Sequence, residues 1–75
     1  MQRFFFDVIN GDHTEHDFKG RELPTAEAAF RLAELIAIDE SVEGTRMGWT
    51  LRVSDDAGKQ LFSIPIVQYP ELMAA

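Results

Sequence analysis

The sequence predicts an α+β domain of order β-β-α-β-β: a four-stranded, mostly antiparallel sheet with one helix packed on one face. Three observations predict it. Segments near both ends alternate apolar and polar side chains with the period of a strand. Glycine-containing turns punctuate those segments as hairpins. Between them lies one alanine-rich stretch with helical spacing behind a Pro-Thr start. The 75 residues make one domain, set at residues 1–67, with a C-terminal tail over residues 68–75.

The first strand is read over residues 3–9. Phe4, Phe6 and Val8 share one wholly apolar face, and Arg3, Phe5, Asp7 and Ile9 share the other. Asn10-Gly11 suits a two-residue hairpin turn, since both positions tolerate positive φ. A short polar second strand is expected near residues 14–18, with Phe18 as its one clear core contributor; its weak apolarity suggests an edge strand or an irregular loop, and Lys19-Gly20 closes it with a turn.

Thr25 follows Pro24 and is the expected N-cap, its hydroxyl accepting an orphan backbone N–H. Glu27 sits in the first turn, where the helix dipole favours an acid, and pairs with Arg31 four residues on. The helix is expected to reach about Glu40. Ala26, Ala29, Phe30, Ala33, Ile36 and Ala37 form the stripe meant for the sheet. Ala28, Leu32 and Leu35 lie off that stripe, Leu35 nearly opposite it.

A polar loop over residues 41–47 leads to a strand over 48–54. There Trp49, Leu51 and Val53 face one way, and Thr50, Arg52 and Ser54 the other. Asp55-Asp56-Ala57-Gly58 is a turn. In the last strand, residues 59–67, Phe62, Ile64 and Ile66 take the core side, and Leu61, Ser63, Pro65 and Val67 the other. Pro65 cannot donate to a ladder, which implies an edge strand, a bulge or the strand's end.

Composition excludes several function classes. Thirteen acidic residues against seven basic ones give a net charge of −6, and the basic residues never cluster. A phosphate backbone needs a basic stripe, so no nucleic-acid partner is expected. There are no cysteines, which removes disulfides, zinc–thiolate sites and thiol catalysis. No apolar run approaches the length of about 20 residues that spans a bilayer. The opening meets Asp7 too early for a signal peptide. A cytoplasmic location is expected, with no membrane partner. The glycines are dispersed at turns and form no phosphate cradle.

Two surfaces are candidates for function. His13, Glu15 and His16 lie in the densest polar stretch and are the weak metal candidates. On a strand, residues three apart point to opposite faces, which argues for a solvated hairpin arm instead. The candidate interface residues are Leu32 and Leu35 on the helix and Leu61, Ser63 and Val67 on the last strand. An uncharged apolar edge strand is a liability unless something covers it. No catalytic residue and no cofactor is expected. The reading is a small non-enzymatic protein-interaction module, homodimeric or with an unidentified protein as partner. The alternative is a metal- or His-dependent site around His13 and His16.

Three stretches carry a resemblance. They are Arg3-Phe4-Phe5-Phe6-Asp7-Val8 with Gly11, then residues 17–25, then residues 53–61 with Ile64-Pro65. Together they resemble an uncharacterised family of small domains common in alphaproteobacteria. Its members share an R-[YF]-F-F-D-V opening, a D-x-x-G-x-E-L-P middle and a closing V-x-D-x-x-G hairpin. The resemblance covers nearly the whole chain. It implies a bacterial, cytoplasmic protein and carries over no catalytic residue. His13 and His16 fall in the arm between the first two motifs.

Overall fold

Alternation of Phe4, Phe6 and Val8 with Arg3, Phe5 and Asp7 folds as β1 (Gln2–Asn10), the strand on which the rest of the sheet is built. The computed structural model describes residues 1–68. Along them follow β2 (His13–Glu15), β3 (Arg21–Leu23), α1 (Ala26–Glu43), β4 (Thr50–Asp55) and β5 (Gln60–Pro65). The tail expected from residue 68 lies, apart from Gln68, outside the described residues.

All described pairings are antiparallel. β4 lines one side of β1 and β5 lines β4, giving the order β2-β1-β4-β5. β2 and β3 share the other side of β1, β2 against Val8–Asn10 and β3 against Gln2–Phe4. Residues opposite each other in a ladder point to the same face. The register sets Phe6 against Val53 and Val8 against Leu51, then Val53 against Phe62 and Leu51 against Ile64. That shared face is the core.

α1 covers it with Ala29 and Ala33, both fully buried, on Phe4, Phe6, Leu51 and Val53. Small side chains at the contact bring the helix backbone close to the sheet. Leu32 and Ile36 pack at the margin, and Phe30 meets Phe62 edge-on with ring centroids 5.2 Å apart. Each large side chain so buried stabilises the fold by roughly 1.5–3 kcal/mol.

The helix starts where the sequence places it. Thr25 is extended, and its hydroxyl accepts the Ala28 N–H at 3.1 Å. It ends later than expected, because residues 41–43 contain no breaker. The stop is Gly44, whose φ of 82° suits glycine and whose N–H donates to the Glu40 carbonyl at 2.9 Å.

The α+β architecture holds, with one strand more than the sequence announces. β3 is three residues long and polar, too short for its alternation to register. Three local expectations change. The first hairpin pairs Asn10 with His13, so its two loop residues are Gly11 and Asp12, one step later than Asn10-Gly11. Phe18 is not a core residue but 88% exposed, because residues 17–20 form a turn rather than strand. Leu61 packs against the core rather than away from the helix: the β4–β5 register slips between Val53 and Ser54, and Leu61 is the extra residue.

Candidate functional site

Between the stretch of β1 held by β2 and the stretch held by β3, the strand edge at Phe6 has no neighbouring strand. A side chain takes that place. Asp17 Oδ2 accepts the Phe6 N–H at 3.1 Å, while its Oδ1 accepts the N–H groups of Lys19 and Gly20 at 3.2 and 3.0 Å. The Asp17 N–H in turn donates to Asp7 Oδ1 at 2.8 Å. Asp7 is the one buried charged residue among those described. Its other oxygen lies 3.7 Å from His16 Nδ1 and 4.0 Å from an Arg52 nitrogen. A buried carboxylate needs such partners, since an isolated one costs several kcal/mol.

Gly20 completes this lock. Its φ is 72°, and a Cβ there would stand 2.9 Å from Arg3 Cγ, the Phe4 carbonyl oxygen and Phe5 Cε2. The turn lies directly against β1.

A second constellation sits on the helix side. Arg46, just beyond α1, donates through Nε to Glu15 Oε1 at 3.1 Å, and a second nitrogen makes a short bond to the same oxygen. Its Nη1 donates to Glu40 Oε1 at 3.2 Å. These bonds, Glu15 first and Glu40 second, hold the guanidinium above its ordinary pKa. The guanidinium carbon is 5.8 Å from the Trp49 ring, and His13 meets that ring edge-on at 5.7 Å. Arg46 thus ties the hairpin arm to the helix end, a partly exposed network worth roughly 1 kcal/mol. With both carboxylates engaged, its charge is already matched.

The structure separates the residues of the candidate metal arm. His13 turns to Trp49, Glu15 to Arg46, and His16 to Asp7 on the other side of the sheet. No group of three or more His, Asp or Glu side chains that could hold a metal ion occurs among the described residues. The Asp7–His16 contact has the form of a carboxylate orienting an imidazole, and catalysis would need a nucleophile on the far nitrogen. The His16 ring also meets the Phe18 ring, tilted at 48° with centroids 5.8 Å apart.

The interface candidates divide. Leu32 and Leu61 pack partly buried against the core. Ser63 and Val67 are exposed at and just after β5. Leu35 is 65% exposed on the outer face of α1, in one row with Ile38 and with Val42, which is 71% exposed. Arg31, Glu34, Leu35 and Ile38 line an open groove there.

Sequence reasoning missed the Asp7–Asp17–Gly20 lock and the Arg46 clamp. The first had a signal: Asp-x-x-Gly at residues 17–20 recurs at 55–58, and Asp at the head of a turn accepts N–H groups two and three residues on. Arg46 had none, since its partners come from β2 and α1.

Residues 3–67 match the model of a family described as Domain of unknown function (DUF6894). No curated protein matches the chain, and no solved structure does. No described helix is long and apolar enough to cross a membrane.

Proposed function

The chain belongs to the DUF6894 family, and from that premise we propose that it is a small non-enzymatic protein-interaction module that self-associates through the edge of its last strand. The observation that carries this is the contrast between the two edges of the sheet. On one edge stand β2 and β3, each three residues long, which carry His13, Glu15, Arg21 and Glu22. Short strands and charges are the ordinary protection of an edge. β5 on the other edge is six residues long and has no charge, and the uncharged run continues through Val67 and Gln68.

In a chain of net charge −6, residues 60–68 are where a second copy approaches without like-charge opposition. The bulge at Val53/Ser54 and Pro65 bracket the pairing window to a few residues around Ser63. A small domain gains from burying more surface in this way.

The test is the solution mass of the protein over a dilution series, by size-exclusion chromatography with light scattering. The expected mass is twice that of the chain. Ser63→Lys sets two like charges near the dyad and is expected to yield a folded monomer. A wild-type chain that is monomeric at every concentration overturns the proposal.

A further inference from the structure

We propose that the outer face of α1 binds a basic amphipathic helix of a partner protein; this rests on the interaction-module reading and adds a second, separate surface to it. Leu35, Ile38 and Val42 stand three and four residues apart, which aligns them in one row along the side of α1 facing away from the sheet. A 3-4 spacing is the pattern by which one helix seats against another. Ala29, Ala33 and Ala37 already bind the opposite side to the core, and among the described residues Leu35 and Val42 stay exposed on the outer row with Ile38 half-buried between them.

Charge decides the occupant. Glu34, Asp39 and Glu43 flank the row and form no ion pair among the described residues. Arg31, the one cation beside the row, is held by Glu27 at 3.3 Å. An apolar row with unmatched carboxylates along it complements apolar side chains flanked by Lys or Arg. A second copy of this chain would set the same carboxylates against one another, and an anionic lipid surface or a nucleic acid would be repelled likewise. Self-association therefore belongs to the uncharged β5 edge, and a heterologous helix to α1.

The experiment uses two fluorescent probe peptides about three heptads long, both with Leu at a and d. One carries Lys at the flanking positions and the other Glu. Anisotropy titration of the full chain is expected to show binding of the Lys peptide at least about ten-fold tighter than the Glu peptide, weakening as salt rises. Leu35→Gln, an exposed substitution, is expected to weaken binding about ten-fold and to leave the solution mass unchanged. Joint Glu34→Lys and Asp39→Lys substitutions are expected to abolish the preference for the Lys peptide. Failure to bind the Lys peptide, equal affinity for both peptides, or indifference to Leu35→Gln overturns the inference. The mass measurement on Ser63→Lys reports on the β5 edge alone, so either surface can fail while the other stands.

Discussion

Asp-x-x-Gly occurs twice, at residues 17–20 and 55–58, and the two copies do different work with the same local chemistry. In both, one carboxylate oxygen accepts two backbone N–H groups ahead of it: Lys19 and Gly20 for Asp17, Ala57 and Lys59 for Asp55. In both, glycine has a positive φ, 72° at Gly20 and 85° at Gly58. The second turn stops there. It closes the β4–β5 hairpin on itself, through Asp55 N–H to the Lys59 carbonyl and Gly58 N–H to the Asp55 carbonyl, and nothing lies within 4 Å of a Cβ at Gly58. The first turn reaches outward. Asp17 spends its second oxygen on Phe6 and its own N–H on Asp7, and Gly20 lies against three atoms of β1. One turn connects two strands; the other also fills a gap in the sheet.

The strongest way to break the first turn is Gly20→Ala. It adds left-handed strain and an overlap with the Phe4 carbonyl oxygen, which as backbone cannot swing aside. The expected loss is about 3–4 kcal/mol, combining strain with overpacking. In a domain this small that lowers Tm by roughly 12–32 °C, measurable by circular dichroism.

Asp17→Ala is expected to cost about 2–3 kcal/mol, since the Phe6 N–H loses its acceptor and two turn N–H groups lose theirs. Hydrogen exchange separates this from general destabilisation: the Phe6 amide should lose protection in excess of its neighbours on β1. Equal loss along the strand would mean that Asp17 does not stand in for a strand at that position.

Gly58→Ala has strain alone to contend with, so about 1 kcal/mol is expected. The difference between the two glycine variants isolates the packing of the first turn on β1. Equal Tm shifts would show that this packing contributes nothing.

The legible parts of the fold share a property. Phe4, Phe6 and Val8, then Leu51 and Val53, then Phe62 and Ile64 reveal their face by alternation, and Thr25 its role by position. In each case neighbours in sequence carry the information. Phe18 misled because an aromatic residue reads as core wherever it stands, and Asp17 had already committed the segment to a turn. Leu61 misled because one inserted residue inverts the parity of a strand end. At the candidate surfaces, the uncharged last strand and the outward Leu35 were legible. The separation of His13 from His16 followed from strand parity, but their actual neighbours, Trp49 and Asp7, did not.

By itself the sequence determined the α+β class, the helix start, the core faces of the long strands, the Asp55–Gly58 turn and the absence of cysteine chemistry. These depend on side-chain period, capping and φ preference, which act over a few residues. Tertiary structure alone decided that β3 joins β1, that Asp17 and Asp7 complete the sheet edge, and that Arg46 bridges Glu15 and Glu40. Each of those joins groups 6 to 31 residues apart. At such separation a contact is set by where the packed core brings two segments together, and no short window of sequence records that.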